Sequence, residues 1–411
     1  MMYPGQTEAE APDLSALTPH AGEELLKECY DRSLQLLRDN SRPFGIIASR
    51  QCEKSVCRHY ASIFGRDASI SVLGMVVSGD AKLVRSARMS LLTLAERQAA
   101  NGQIPNYVKP EAGEVDYWYF GCIDATLWWL IAVAFYDRVV PAAPLSGSLS
   151  PVIDRALKWL LSQEHQALFL LQQNEASDWA DVMPRSGFVL YSNSLWHCVK
   201  KLYGLPAAAE TGRYFDYIFY PFGNDVVERR RARVLVHYIR NVEKCRDFYL
   251  SFVNFSTWGR EVDVFGNILA LLAGPADTSK ALKIMDALAA AGATRPHPVR
   301  VVLNPLRKGS CLWRPYMERH RQNMPYQYHN GGIWPFVGGF WVALLAKMKR
   351  EEDGWRALER VALANRLNGW EFNEWLHGKT GEPLGMSGQS WNAAMFILAF
   401  HALRDGIRVP G

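Results

Sequence analysis

Five short segments of the sequence combine carboxylates or amides with aromatic rings and turn-forming residues. In chain order they are residues 64–67, 102–106, 177–187, 326–335 and 370–378. Cleavage of a glycosidic bond needs such a mixture, because a carboxylic acid must protonate the departing oxygen while a carboxylate activates water and further polar groups hold the hydroxyls. The segments therefore predict a carbohydrate-processing site built from loops.

Two of these segments supply the candidate acid and base. Asp181 and Glu374 both have a tryptophan within two residues along the chain. An aromatic environment removes water from a carboxyl group and raises its pKa, which a general acid needs near neutral pH. We predict that Asp181 is the general acid and Glu374 the general base. Glu371, three residues earlier, is the alternative base.

Each segment taken alone also has a plainer structural interpretation. Asp67 after Arg66 is compatible with a helix N-cap and a local ion pair. Asp181 is compatible with a turn residue, and Glu374 with a surface carboxylate. His329 is compatible with a turn before a helix whose first turn contains proline. The order of the segments and their occurrence together in one chain favour the functional interpretation.

Helical patterns dominate the chain that must position these residues. Apolar residues recur at i, i+3, i+4 and i+7 in twelve segments, namely 22–38, 68–78, 81–100, 124–138, 151–163, 188–203, 226–243, 263–273, 278–291, 334–349, 354–367 and 389–404. Alternating strand patterns are scarce, and 299–303 is the clearest. Twelve helices fit six hairpins in a ring, so we expect an all-α (α/α)6 toroid with a few short strands in its loops.

The composition fits one folded unit. The chain has 411 residues, of which 49% are hydrophobic and 21% charged, enough for a large buried core. No break in composition divides it, so we predict a single catalytic domain over residues 21–411. Residues 1–20 are rich in Pro, Glu and Ala without an apolar period, which predicts a flexible N-terminal arm.

Several other classes of protein are disfavoured. The net charge of +5 is spread thinly, and its dense run at 228–233 is typical of a solvated helix face rather than a nucleic-acid site. Seven cysteines without a paired spacing predict reduced thiols, a cytoplasmic location and no metal site. No apolar stretch is long enough for a membrane helix. We expect a small carbohydrate substrate and no cofactor, and the sequence leaves homo-oligomerisation open.

In their order, these segments resemble the amylo-α-1,6-glucosidase (glycogen debranching, C-terminal) family and the neutral and alkaline invertases. The likeness extends from about residue 44 to 404. Its motifs are Gly-Arg-Asp at 65–67, Gly-x-Ile-Pro-Asn at 102–106, Asp-Ala-x-Leu-Trp at 124–128, Asp-Trp-Ala-Asp at 178–181, Asp-x-Phe-Gly-Asn at 263–267, Tyr-His-Asn-Gly-x-x-Trp-Pro at 328–335, Glu-Trp-x-x-Gly at 374–378 and Gln-Ser-Trp at 389–391.

The resemblance implies an (α/α)6 toroid that hydrolyses an α-glucosidic bond with inversion at the anomeric carbon. It implies that Asp181 is the proton donor and Glu374 the base. Arg66 and Asp67 would hold the outer hydroxyls of the sugar, and Trp179 and Trp391 would form stacking walls. The full set of substrate-binding residues that it implies is Arg66, Asp67, Asp124, Trp179, Arg185, His329, Asn330, Trp334, Gln389 and Trp391.

The chain also departs from the family pattern. Tyr191 stands where debranching enzymes have a glutamate that contacts substrate, and His377 replaces an aspartate near the base. The glucanotransferase half and the long N-terminal sugar-binding region of larger debranching enzymes are absent from the sequence. We therefore expect a short α-gluco-oligosaccharide or glucoside as substrate rather than a glycogen particle.

Two other functions remain open at the level of sequence. One is a neutral invertase that hydrolyses sucrose by the same chemistry. The other is a glycan-binding toroid without turnover. A toroid epimerase is disfavoured, because the ten histidines include no motif that pairs two of them.

Overall fold

The computed structural model of the protein describes residues 19–117, 122–223 and 230–409. The arm predicted for residues 1–20 lies outside the described residues, except for Pro19 and His20, which belong to the first helix. The single domain predicted for residues 21–411 stays a prediction.

The described part of the chain forms fourteen α-helices. They are α1 (Pro19–Asn40), α2 (Glu53–Cys57), α3 (Gly65–Val77), α4 (Ala81–Glu96), α5 (Ile123–Val139), α6 (Ser146–Leu161), α7 (Leu190–Leu202), α8 (Ala208–Phe219), α9 (Arg230–Val242), α10 (Val264–Ala273), α11 (Thr278–Ala290), α12 (Pro335–Lys347), α13 (Glu351–Trp370) and α14 (Ser390–Arg404). Short 3₁₀ helices occur at Pro110–Ala112 and Pro315–Arg321.

Six of these helices form a closed inner ring. Each packs against the next in the order α3, α5, α7, α10, α12 and α14, and α14 returns to α3. Helices α1, α4, α6, α8, α11 and α13 form the outer layer, while α2 and α9 are additional. The inner helices are buried on nearly all sides, as in α5 and α12. Apolar residues all around a helix are typical of one that is enclosed by other helices. The predicted all-α (α/α)6 toroid is confirmed.

The ring closes through very tight packing of α3 on α14. A Cβ atom at Gly74 would lie 1.9 Å from the carbonyl oxygen of Ala394, so only glycine permits this approach. The side chain of Asn40 reinforces the closure by donating to the carbonyl of Gly388 (3.0 Å) and to Ser390 Oγ (2.9 Å). Two parts of the chain about 350 residues apart are thus fastened together.

Short antiparallel strands lie in the connections. They are β1 (Ser41–Arg42), β2 (Gly45–Ile46), β3 (Ile63–Phe64), β4 (Tyr107–Lys109), β5 (Glu114–Asp116), β6 (Phe188–Val189), β7 (Phe252–Val253), β8 (Trp375–Leu376) and β9 (Pro383–Leu384). They pair as β1–β2, β3–β4–β5, β6–β7 and β8–β9. In β3–β4, Phe64 lies opposite Tyr107.

The helical pattern located twelve of the fourteen helices. It missed α2, which is too short to show a period, and α8, whose N-cap Ala207 is left-handed and offers no side-chain cap. The strand predicted at 299–303 makes only isolated bridges, at Arg300 and Val302. In α9, Arg230, Arg231 and Arg233 are exposed, as predicted for a solvated face. None of the described helices has the length and apolar character of a membrane crossing.

Candidate active site

A cavity of about 230 Å³ opens at the end of the ring where the inner helices begin. Its walls come from the connections that lead into α3, α5, α7, α12 and α14. The lining residues are Arg58, His59, Tyr60, Phe64, Arg66, Asp67, Asn106, Tyr107, Cys122, Ser177, Asp178, Trp179, Asp181, Tyr328, His329, Trp334, Glu374 and Trp391. Four carboxylates and a set of aromatic rings therefore face one small space.

Glu374 lies on the segment before β8 and is held at both oxygens. Tyr60 donates its hydroxyl to Oε1 at 2.6 Å, and the backbone N–H of Met386 donates to Oε2 at 3.0 Å. The β8–β9 turn brings Met386 back, and Gly385 is required there because a Cβ would lie 2.5 Å from Oε2. The side chain is only 4% exposed, so it is not the surface carboxylate of the plainer interpretation.

Burial governs the acidity of Glu374. Loss of water raises its pKa to about 7, against the opposing effect of the hydrogen bonds from Tyr60 and Met386. The negative charges of Asp67 and Asp181 add to the rise. The group therefore changes its charge near neutral pH, where a general base has to work.

Asp181 lies in the loop between α6 and α7, and its hydrogen bonding differs from that of Glu374. Its Oδ1 accepts no hydrogen bond from any described residue, and Nδ1 of His329 lies 3.5 Å away. The side chain keeps 39% of its surface accessible, on the cavity side. Enclosure by the cavity walls raises the pKa of Asp181 to about 6, although the charge of Arg66 acts in the opposite direction.

The imidazole beside Asp181 is neutral. Burial, followed by the positive charges of Arg66 and Arg185, lowers the pKa of His329 well below its ordinary value. A cationic histidine would favour the ionised form of Asp181, whereas a neutral one does not oppose the rise of its pKa. His329 itself is fixed by stacking on Trp334, with ring centroids 5.1 Å apart and planes 17° apart.

Arg66 and Asp67 project from the first turn of α3 into the cavity. Nε of Arg66 lies 3.3 Å from Asp67 Oδ1, and Nη1 lies 3.3 Å from Asp124 Oδ2. Asp124 is buried in the first turn of α5 and also accepts from the Tyr191 hydroxyl at 2.9 Å. Carboxylates in the first turn of a helix are favoured by the helix dipole. Asp124 therefore fixes the guanidinium of Arg66 from behind the cavity wall.

Tryptophan rings form the inner wall. Trp179 meets His329 and Trp334 edge-on, at centroid distances of 4.8 and 5.4 Å. Trp391 stacks on Phe336 at 4.0 Å. The indole Nε1 atoms of Trp179 and Trp391 are buried and donate to no described residue, and Asp67 Oδ1 has only its ion pair with Arg66. Since buried polar atoms are normally hydrogen-bonded, these donors and acceptors suit the hydroxyls of a bound sugar.

The structure brings most of the predicted site residues together. Eight line the cavity: Asp181, Glu374, Arg66, Asp67, Trp179, His329, Trp334 and Trp391. Four lie outside its lining: Asp124, Arg185, Asn330 and Gln389. The alternative base Glu371 is also outside and lies 3.8 Å from Arg50. Asp67 is not an N-cap, since Phe64 holds that position in α3.

Three of the four residues outside the lining have identifiable structural contacts. Arg185 is buried between Asp263, at 2.9 Å, and Glu261, at 3.6 Å, and so anchors the loop of Asp181 to the start of α10. Asn330 bonds both backbone groups of Leu306, at 2.7 and 2.8 Å. Asp124 orients Arg66, as described above. Gln389 is the N-cap of α14, and its side chain has no hydrogen-bond partner among the described residues.

The two departures from the family pattern do not reach the cavity. Tyr191 is buried and accepts from Trp128 Nε1 at 2.7 Å while it donates to Asp124, so it belongs to the support of Arg66. The ring nitrogen Nδ1 of His377 accepts from the backbone of Lys379 and Thr380 in a turn after β8.

Sequence reasoning missed one side of the cavity. Arg58, His59 and Tyr60 follow the five-residue helix α2, which carries no periodic signal. Tyr107 reaches the cavity only through its strand pairing with Phe64. The one available signal was the position of this segment, directly before the Gly-Arg-Asp motif.

The ring of six helical hairpins and the carboxylate-lined cavity at its end define the six-hairpin glycosidase fold. Solved structures agree over most of the chain. A GH63 mannosylglycerate hydrolase from Thermus thermophilus, in complex with Tris, has a TM-score of 0.60 at 15% identity and covers 90% of this chain and 99% of its own. A glycosidase variant in complex with glucose has a TM-score of 0.60 at 15% identity and covers 95% and 99%.

Two family descriptions match separate parts of the sequence. Residues 40–187 match amylo-alpha-1,6-glucosidase, and residues 258–406 match alkaline and neutral invertase. Probable alkaline/neutral invertase D of Arabidopsis thaliana is 27% identical over 143 residues, which is 34% of this chain and 26% of that protein. Probable alkaline/neutral invertase F of the same plant is 27% identical over 158 residues and covers 35% and 29%. The chain matches less than a third of the length of either invertase.

Separate parts of the chain are thus similar to the amylo-α-1,6-glucosidase family and to the alkaline and neutral invertase family, and the chain shares the fold of the GH63 structures. The resemblance inferred from the motifs is confirmed at this level. Asp181 lies in the part that matches the first family, and Glu374 in the part that matches the second.

Proposed function

We propose that the protein hydrolyses an α-glucosidic bond in a small substrate, with inversion at the anomeric carbon. The observation that carries the proposal is the pair Asp181 and Glu374, which line one cavity together with unpartnered buried donors and acceptors. The cavity of about 230 Å³ is smaller than the roughly 300–1,000 Å³ of a pocket for drug-sized ligands. One sugar ring with a small aglycone suits this space better than a polymer.

In the proposed reaction, Asp181 donates its proton to the glycosidic oxygen as the bond from that oxygen to the anomeric carbon breaks. Glu374 accepts a proton from a water molecule whose oxygen attacks the anomeric carbon from the opposite face. The transition state resembles an oxocarbenium ion, and the product has the inverted configuration. Tyr60 positions Glu374 for this step by its hydrogen bond to Oε1.

The remaining residues hold the sugar or the groups that hold it. Arg66, Asp67, Trp179 and Trp391 would bond or stack on the ring in the −1 subsite, with His329 and Trp334 completing the wall. Asp124, Arg185 and Asn330 then act as positioning residues behind the wall. Gln389 is the N-cap of α14. This assignment moves those four from the substrate-binding set that the family resemblance implied.

The test is a panel of α-linked disaccharides and glucosides, with the first-formed anomer followed by proton NMR. Inversion predicts that the β-anomer of glucose appears first and then mutarotates. Initial release of the α-anomer would contradict the single-displacement mechanism. Calorimetric binding of these sugars without release of product would favour a non-catalytic glycan-binding protein.

A second candidate is the hydrolysis of sucrose. The match of residues 258–406 to the alkaline and neutral invertases favours it, because this part contains Glu374 and Trp391. The chemistry at the glucosyl carbon is the same, so the acid and base keep their roles. Comparing kcat/KM for sucrose, isomaltose and maltose separates the two candidates.

A further inference from the structure

A second cavity, of about 170 Å³, lies between the outer helices α11 and α13 and against α12. It shares no lining residue with the active-site cavity. Its charged lining residues all belong to α13 or to the N-cap of that helix, and they are Arg350, Asp353, Arg356 and Arg360. The lining of this cavity, which we call the arginine pocket, thus contains three cations and one anion.

The one carboxylate of the arginine pocket is already engaged by two of the arginines. Asp353 Oδ2 accepts from Arg350 Nε at 2.9 Å, and Oδ1 accepts from Arg356 Nη2 at 2.7 Å. Arg350 also forms an ion pair with Asp286 of α11. Among the described residues, Arg360 is left without a carboxylate partner.

The guanidinium of Arg360 differs in this from the other arginines away from the surface. Every other described arginine that is buried or partly buried donates to a carboxylate or carbonyl oxygen. Arg360 is partly buried, and its guanidinium donates to none of the described residues. Removing a charge from water without a partner is unfavourable. The position therefore suits an acceptor that does not come from the described chain.

Neighbouring cations add to the excess of charge at Arg360. Arg356 lies one helical turn earlier, and like charges at that spacing repel each other. Burial, followed by the positive charges of Arg295 and Arg356, lowers the pKa of Arg360. Glu359 opposes this effect, but its side chain lies on the side of α13 that faces α1, close to Gly22. An anion in the arginine pocket would relieve the repulsion.

We propose that the arginine pocket binds a phosphate group, either free inorganic phosphate or the phosphate of a small ester, through the guanidinium groups of Arg360 and Arg356. A guanidinium can donate two parallel hydrogen bonds to a phosphate. A cavity of about 170 Å³ holds several water molecules, so a tetrahedral anion fits in it. Thr294, also in the lining, has a hydroxyl that can donate to the same anion. The site lies apart from the active-site cavity and does not depend on the proposed function.

The experiment measures the binding of inorganic phosphate, glycerol phosphate and acetate by isothermal titration calorimetry at constant ionic strength set with sodium chloride. We expect saturable binding of a phosphate compound, and the tighter of the two identifies the ligand as the free ion or an ester. Constant ionic strength separates this binding from general screening of surface charge. Acetate that binds as tightly as either phosphate compound would overturn the assignment to phosphate.

The substitution Arg360→Gln should raise the Kd for phosphate about tenfold, which is about 1.4 kcal/mol. Arg360→Lys should retain part of the affinity, because it keeps the charge but loses the two parallel hydrogen bonds. The matched control is Arg366→Gln, which removes the same charge from an exposed position on α13 outside the pocket lining and should leave the Kd unchanged.

Thermal unfolding shows whether the variant is folded. Without phosphate, Arg360→Gln should have a Tm no lower than the wild type, since its side chain donates to none of the described residues. Added phosphate should then raise the Tm of the wild type and of Arg366→Gln more than that of Arg360→Gln. Absence of saturable phosphate binding, or the same Kd in the wild type and Arg360→Gln, would overturn the inference. Either result leaves the proposed hydrolase function unaffected, because none of its steps uses the arginine pocket.

Discussion

The segments that carry Asp181 and Glu374 surround the same functional group with different neighbours. Both oxygens of Glu374 accept hydrogen bonds, from Tyr60 and from the backbone of Met386. Asp181 Oδ1 accepts none from the described residues, and its side chain opens to the cavity. Fixed donors orient a carboxylate and favour its ionised form, whereas a carboxyl group without such donors more readily keeps its proton. The hydrogen bonds thus favour Glu374 as the base and Asp181 as the acid.

The order of the two pKa values is the reverse of the order expected for an acid at Asp181 and a base at Glu374. Burial raises the pKa of Glu374 to about 7, above the value of about 6 for Asp181. The reactive form, with Asp181 protonated and Glu374 ionised, is therefore a minor population of the free enzyme. Since the two charges interact, a titration will report values that belong to the pair.

The largest expected effects come from removing each carboxylate in turn. Asp181→Asn and Glu374→Gln should each lower kcat on an α-glucoside by about 10²–10⁴, the usual contribution of general acid–base catalysis. With α-glucosyl fluoride, whose leaving group needs no protonation, Asp181→Asn should recover most of its activity and Glu374→Gln should not. Steady-state kinetics on both substrates provides the measurement.

The control for this pair is Glu371→Gln, which changes a neighbouring carboxylate outside the cavity lining and should retain near-native kcat. Recovery of Glu374→Gln, rather than of Asp181→Asn, on the fluoride would reverse the two roles.

The dependence of kcat/KM on pH should be bell-shaped, with its maximum between pH 6 and 7. Below this range protonation of Glu374 removes the base, and above it ionisation of Asp181 removes the acid, so activity should fall about tenfold per pH unit on either side. In Asp181→Asn assayed with α-glucosyl fluoride, the alkaline limb should disappear while the acid limb near pH 7 remains. An alkaline limb that persists there would show that another group limits the rate.

Tyr60→Phe should shift the pH optimum upward and lower activity moderately. The hydrogen bond from Tyr60 lowers the pKa of Glu374, so its removal raises that pKa and keeps the base protonated to higher pH. We expect a loss of about tenfold in kcat/KM at pH 6, consistent with roughly 1.5 kcal/mol for one such bond, and a smaller loss at pH 8. The same loss at every pH would instead indicate a structural role; Tyr117→Phe, outside the cavity, is the matched control.

The smallest effect concerns stability. The folded pKa of Glu374, about 7, exceeds its unfolded value near 4.5, so the folded protein loses stability as pH rises from 4.5 to 7 and the group ionises in its buried site. Glu374→Gln avoids this cost and should have a higher Tm than the wild type at pH 8, with little difference at pH 5. A Tm difference between the two proteins that is the same at both pH values would refute this source of instability.

The sequence predicted the parts of the molecule that have a strong local signal. Long runs of apolar residues with a helical period located the ring helices, and Asp181, Glu374 and Arg66 stood in ordered motifs. Tyr60 and Arg58 could not be found in this way, because α2 has five residues and their side chains reach the cavity only through tertiary packing. The sequence also could not show whether Asp124 and Arg185 contact the substrate or support residues that contact it. That distinction depends on distances across the ring.

The closure of the ring by α14 against α3 has a consequence for synthesis of the protein. Gly74 and Asn40 meet partners that the ribosome adds more than 300 residues later. Such distant contacts slow folding and leave apolar surface open in the nascent chain. Since Glu374 and Trp391 are also translated late, every nascent chain that ends between Asp181 and Glu374 contains the proposed acid without its base. The proposed activity therefore appears only after the ribosome has added the last helix of the ring.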